Sequence, residues 1–184
     1  MVGRAVAAAT PADAVRALLA GPSAEDADAG LVSLVPAGTR LRGVTVSGSQ
    51  AVVDLSAEFD SGGGNLSMMG RVAQVVFTVT QFDGIDTVRF SIDGVPVTEL
   101  TGEGYGVDGV QRLDVADLIP IVLLESPWAG QTVAQPIAVS GVSNTFEAQV
   151  NYELVGMDGV ILTEGWLMAT SGTGTWGTFD AVLS

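Results

Sequence analysis

Asp54, Glu58 and Asp60 place three carboxylates within seven residues. Two carboxylates facing each other across a cleft are the equipment of glycoside hydrolysis. Asp54 falls at an outward position of a strand pattern and the other two border a loop, so solvated strand-end acids are the favoured reading. Gly62-Gly63-Gly64-Asn65 stands just before a helical pattern. A helix N-terminus of that kind can hold an anion, with Arg71 assisting from one turn later. No GxGxxG and no Lys supports this, and a flexible connection capped by Asn65 or Ser67 is favoured. Trp128, Trp166 and Trp176 are candidates for a surface on which sugar or peptide stacks. Core or core-edge positions are the favoured reading for all three. Glu25, Asp26 and Asp28 lack the alternating oxygen pattern of a calcium loop and suit the first turn of a helix.

Missing residue types exclude more chemistry than the present ones suggest. The chain has 184 residues, with no His and no Cys, and all seven of its basic residues are Arg. A Ser-His-Asp triad, a Cys nucleophile, a thiolate or imidazole metal site, a Walker A loop and a Schiff base are all impossible within it. The 21 acids leave a net charge of −14. Nucleic acid and anionic membrane surfaces are therefore poor partners, and the charge favours solubility and cationic partners. No apolar run reaches the roughly 20 residues of a spanning helix. Met1 to Ala9 faintly resembles a signal peptide, but its apolar part is too short and Pro11 and Asp13 follow at once. No catalytic, cofactor-binding or metal-ligating residue is assigned, no cofactor is expected, and the chain is not expected to be an enzyme.

The elements that must position these residues fall into two groups. Thr10-Pro11-Ala12-Asp13 is a helix start, with Ala14, Val15, Leu18 and Leu19 on one face and Gly21-Pro22 as the stop. Ser23 to Asp26 begins a second short helix ending near Gly30. Leu41 to Leu55 alternates as a hairpin about Ser47-Gly48-Ser49. Met68, Val72, Val75, Val76, Val79 and Phe82 form a helical stripe, which is predicted to pack on the strand of Val88, Phe90 and Ile92. Asp93-Gly94 signals a type I′ turn into Val95 and Val97. Thr101 to Gly109 reads as a loose, Gly-rich stretch with little to bury, Leu113 to Leu118 as a short helical turn, and the domain boundary is expected between about Asp108 and Ile121. Beyond Pro120 there is no Arg and the pattern is all strand: 121–124, 137–140, 148–155, 160–168 and 176–183, with a turn at Pro127 to Gly130 and a hairpin at Met157-Asp158-Gly159.

Two stretches carry a family resemblance. Leu18 to Ser23, Leu31 to Thr39, Val53-Asp54-Leu55-Ser56, Gln74 to Phe82 and Ile92-Asp93-Gly94 resemble the GerMN domain of bacterial spore-germination and sporulation proteins. The family more often has Leu where Val79 stands. Glu125-Ser126-Pro127, Gly130 to Val133, Val139-Ser140-Gly141, Phe146-Glu147-Ala148 and Gly172 to Gly177 resemble the immunoglobulin-like domain that follows GerMN in actinobacterial and clostridial envelope proteins. The resemblance implies an α+β fold over residues 1–118, a small sheet with helices packed on one face, similar to ring-building modules of secretion complexes. An all-β sandwich over 119–184 follows. It also implies an exported protein, commonly a membrane-anchored lipoprotein or a secreted one, acting outside the cytoplasmic membrane in spore assembly or germination. Some members belong to organisms that form no spores, and the family supplies no catalytic residue to carry over. A GerMN domain usually opens with a strand before its first helix, and an immunoglobulin-like domain runs to roughly 100 residues. Both domains are therefore expected to be trimmed, with Phe146, Val150, Trp166, Trp176 and Phe179 uncovered in the second.

The leading functional expectation is a non-enzymatic protein–protein interaction module of the cell envelope. Its rivals are a peptidoglycan- or sugar-binding module and a hydrolase of cell-wall glycan.

Overall fold

A computed structural model of the chain describes residues 10–28, 30–100, 104–128 and 131–183. The signal-like Met1 to Ala9, Thr101 to Glu103 and the Ala129-Gly130 part of the turn lie outside them. The chain divides into two compact units, one ending at Leu118 and the other beginning at Ile119.

The first unit is built on a four-stranded sheet. Helix α1 spans Pro11–Leu19 behind an N-cap at Thr10, whose side chain accepts from the Asp13 amide. Helix α2, Ala24–Asp28, starts on a reciprocal cap. The Ser23 amide and hydroxyl donate to Asp26 at 2.8 and 2.7 Å, and Ser23 Oγ accepts from the Asp26 amide. Strands β1 (Leu41–Ser47) and β2 (Gln50–Leu55) form the expected hairpin. A 3₁₀ turn at Ala57–Asp60 leads to α3, Asn65–Val79. The chain then returns as β3, Thr87–Ile92, parallel to β2, and pairs with β4, Val95–Val97. Asp93 and Gly94 both have positive φ, 49° and 83°, as a type I′ turn requires.

Parity decides which side of this sheet is covered. Ala51, Val53 and Leu55 on β2 stand beside Val88, Phe90 and Ile92 on β3, and all but the half-buried Ile92 are buried. The predicted stripe on α3 is core: Met68, Val72, Val75, Val76 and Val79 are fully buried. Valine lowers helix propensity, but burying each such side chain contributes about 1.5–3 kcal/mol, which outweighs that loss. The helix ends before Phe82, where the Thr80 hydroxyl bonds back to the Val76 carbonyl.

Two irregular segments are better packed than their sequence suggests. Gln74 clasps the stretch after α2, accepting from the Leu34 amide at 2.9 Å and donating to the Val32 carbonyl at 3.2 Å. Leu34 rests on α3 where Gly70 leaves room, since a Cβ there would overlap its side chain. The segment before the boundary, expected to bury little, is corrected. Short strands β5 (Glu99–Leu100) and β6 (Tyr105–Gly106) pair, Val107, Val110, Val115 and Ala116 are buried, and Val110 bridges to Val88. A 3₁₀ helix at Arg112–Leu118 is held to α3 by Arg112, 5.1 Å over the Phe77 ring and 2.7 Å from Thr80 Oγ1.

The second unit is all β apart from a 3₁₀ turn at Phe146–Ala148. Strands β7 (Val122–Ser126), β8 (Ile137–Ser143) and β11 (Gly177–Leu183) form a sheet in the order β11-β8-β7. Strands β9 (Gln149–Val155) and β10 (Ile161–Met168) form a second, two-stranded sheet. Ala148, Val150, Ala169 and Phe179 make the core, with Val122 and Leu167 against it. The five residues expected to be uncovered therefore divide. Val150 and Phe179 are buried, Trp176 is half-buried, and Phe146 and Trp166 are exposed.

Candidate functional site

The three carboxylates of the glycan-hydrolysis reading are each engaged elsewhere. Asp54 Oδ1 accepts from the Gly94 amide at 2.9 Å, and its other oxygen faces Arg42 at 3.5 Å. Arg42 also reaches Asp93 at 3.3 Å, so Asp54 belongs to a small charged cluster that ties the β3–β4 turn to β1 and β2. Glu58 has its pKa lowered, first by the Ser56 hydroxyl, then by its own backbone amide and by Arg40. A general acid needs the opposite shift. Asp60 faces the charge of Arg71.

The glycine loop is filled from below. Arg71 is 2% exposed. Its guanidinium donates to the carbonyls of Phe59 (2.6 Å), Ser61 (3.0 Å) and Gly62 (2.9 Å), and to Ser67 Oγ (2.9 Å). Burial lowers its pKa, an effect that Asp60 opposes. The space an anion would take is held by the arginine itself, since a Cβ on Gly63 would sit 2.8 Å from its Nη2. The helix N-cap is Gly64 with no side-chain cap, which corrects the Asn65 or Ser67 assignment. Asp26 is used in its own helix cap, and among the described residues no group of three acids is placed to hold a metal ion.

The tryptophans change most. Trp166 is 62% and Trp128 45% exposed, which corrects their placement in or beside the core. Trp166 sits on β10, whose turn from β9 is closed by the Gly156 amide on the Val160 carbonyl and by Asp158 accepting from the Val160 amide. Val150 and Leu167 take the inward parity of this hairpin and pack on the core. The outward parity follows the register Gln149 opposite Met168, Asn151 opposite Trp166, and Glu153 opposite Glu164. Val155, Met157, Val160, Ile161 and Leu162, at the turn end of the hairpin, are also exposed. Asn151, Tyr152, Glu153, Glu164, Gly165 and Trp166 line a shallow concavity of the hairpin. Alternation along β10 was visible in the sequence; which parity the second sheet would cover was not.

Comparison with known proteins adds a family context. Residues 2–98 match the family model Germane, sporulation and spore germination, and residues 121–184 match Gmad2, the immunoglobulin-like domain of bacterial spore germination. A crystal structure of a candidate lipoprotein from Clostridium perfringens is 21% identical with a TM-score of 0.50, covering 56% of this chain and 68% of that one. The tandem GerMN domains of the sporulation protein GerM from Bacillus subtilis are 18% identical with a TM-score of 0.50, covering 96% of this chain and 53% of that one. The first GerMN domain of the same protein is 30% identical with a TM-score of 0.48, covering 55% and 79%. At these identities the first two are likenesses of fold. No curated protein matches the chain.

Proposed function

The chain belongs to the Germane family of sporulation and spore germination, and from that premise we propose that it acts as a non-enzymatic, extracytoplasmic envelope protein by docking another protein. In this reading residues 1–118 and 119–184 are its two domains. The observation that carries it is the outward face of β9–β10, where Trp166 and Met168 stand exposed, with Leu162 exposed on the same strand beyond Glu164. Large apolar side chains gathered in water on one strand are costly to leave exposed and mark an interaction site. An extracytoplasmic setting is supported by the candidate-lipoprotein description of a structural neighbour. The same exposed Trp166 favours a second reading, binding of cell-wall glycan by ring stacking.

Pelleting with purified peptidoglycan separates the two. A photo-crosslinker placed at Leu162 should give a discrete protein adduct in the envelope, lost with Trp166→Ala, while the protein stays in the supernatant of the pelleting assay. Co-sedimentation abolished by Trp166→Ala, without a protein adduct, would favour glycan binding.

A further inference from the structure

Resting on that docking reading, we infer that the β9–β10 face takes a cationic segment of its protein partner, with a Lys or Arg side chain seated between Glu153 and Glu164 beside the Trp166 ring. The two glutamates are directly opposite each other in the β9–β10 register. Directly opposed residues have Cβ atoms about 4.5–5.5 Å apart, and like charges so placed destabilise a sheet. From Ile119 onward the chain carries six acids and no Arg, Lys or His. Some acids of the first unit stand beside arginines, Asp54 and Asp93 by Arg42 and Asp108 by Arg89.

The apolar residues set the rest of the partner's chemistry. Trp166 follows Glu164 on the same face and stands across from Asn151. A cation entering between the carboxylates has Trp166 and Asn151 as the next pair along the face. Carboxylate and ring attract the same group, because a guanidinium or ammonium is drawn to both. A second copy of this face is disfavoured by like charge, and so is an anionic membrane. Neutral sugar hydroxyls would be served as well by Gln at both positions and give no use for the opposed charges.

The test uses the full chain, isotope-labelled for NMR, with three probes: a capped peptide of alternating Val and Lys, the same peptide with Glu for Lys, and an N-acetylglucosamine hexamer. The Lys peptide should saturably shift the Trp166 indole N–H and the amides of Asn151, Glu153 and Glu164. Binding should weaken at least tenfold in Glu153→Gln/Glu164→Gln and weaken with added salt. The Glu peptide should leave these signals unmoved. The double variant should also melt no lower than the wild type, since a repulsion has been removed. Equal binding of the Lys peptide to the variant, or shifts spread over the acidic surface, overturns the inference. So does a hexamer that shifts Trp166 where the Lys peptide does not. A Leu162 adduct that survives the double variant but not Trp166→Ala keeps the docking reading and removes only the cation.

Discussion

The Arg71 guanidinium donates to the Phe59 carbonyl at 2.6 Å, joining a buried charge on α3 to the turn that leaves the sheet. The Phe59 ring in turn stacks on Phe90 of β3, with centroids 5.7 Å apart and planes 12° off parallel. One side chain thus holds the loop and seats its aromatic anchor in the core.

Removing that side chain should be severe. Arg71→Ala leaves the carbonyls of Phe59, Ser61 and Gly62 without this donor, and is expected to cost about 3–5 kcal/mol, on the scale of breaking a buried charged network. Arg71→Lys keeps the charge but lacks the fork that reaches several carbonyls at once, so it should recover only part of the loss. Urea denaturation of both variants checks the order. An Arg71→Lys protein as stable as the wild type would reduce the clamp to a simple charge.

Helix α3 offers a matched pair of sites. Val76→Asp puts an unpaired charge at a fully buried position and should cost several kcal/mol, on the order of 3–5. Leu66→Asp, at a residue 69% exposed on the same helix, should stay within about 0.5 kcal/mol. Thermal melts compare them directly, and equal losses would mean that the valine stripe is not what holds the helix to the sheet.

Glu58 makes one pH-dependent contribution with a definite sign. Its folded pKa lies below the ordinary 4.5, chiefly through the Ser56 hydroxyl. A lowered carboxylate pKa stabilises the fold above the unfolded value, and the effect is lost as pH falls through the folded one. The stability gap between wild type and Glu58→Gln should therefore be full at neutral pH and close below pH 4.5. Ser56→Ala should narrow it. A gap that widens on acidification contradicts the assigned cause.

Two glycines of the second unit should respond differently to alanine. Gly141 lies opposite Phe179 and Gly165 opposite Tyr152, each with an aromatic ring over it. A Cβ at Gly141 would overlap the Leu123 backbone carbonyl, whereas at Gly165 its nearest neighbour is the far end of the Tyr152 side chain, 2.8 Å away. Backbone cannot step aside as a side chain can. Gly141→Ala is expected to cost about 2–3 kcal/mol and Gly165→Ala less than about 1. Calorimetric melts read the difference; equal effects would place the strain elsewhere.

Local rules carried a large part of this structure. Thr10 and Pro11 starting α1, Asp93-Gly94 turning β3 into β4, and valines recurring at helical spacing on α3 each depend on near neighbours in the chain. So does the alternation of β10. The lack of His, Cys and Lys likewise bounded the chemistry before any fold was known. What tertiary structure decided depends on distant partners. Arg71, twelve residues from Phe59, reads in sequence as a helper for an anion, and only the folded loop shows carbonyls occupying its donors. Gln74 clasps a segment some forty residues away. Strand alternation states that β9–β10 has two faces and is silent on which one another sheet will cover. That choice puts Val150 in the core and Trp166, across from Asn151, in water.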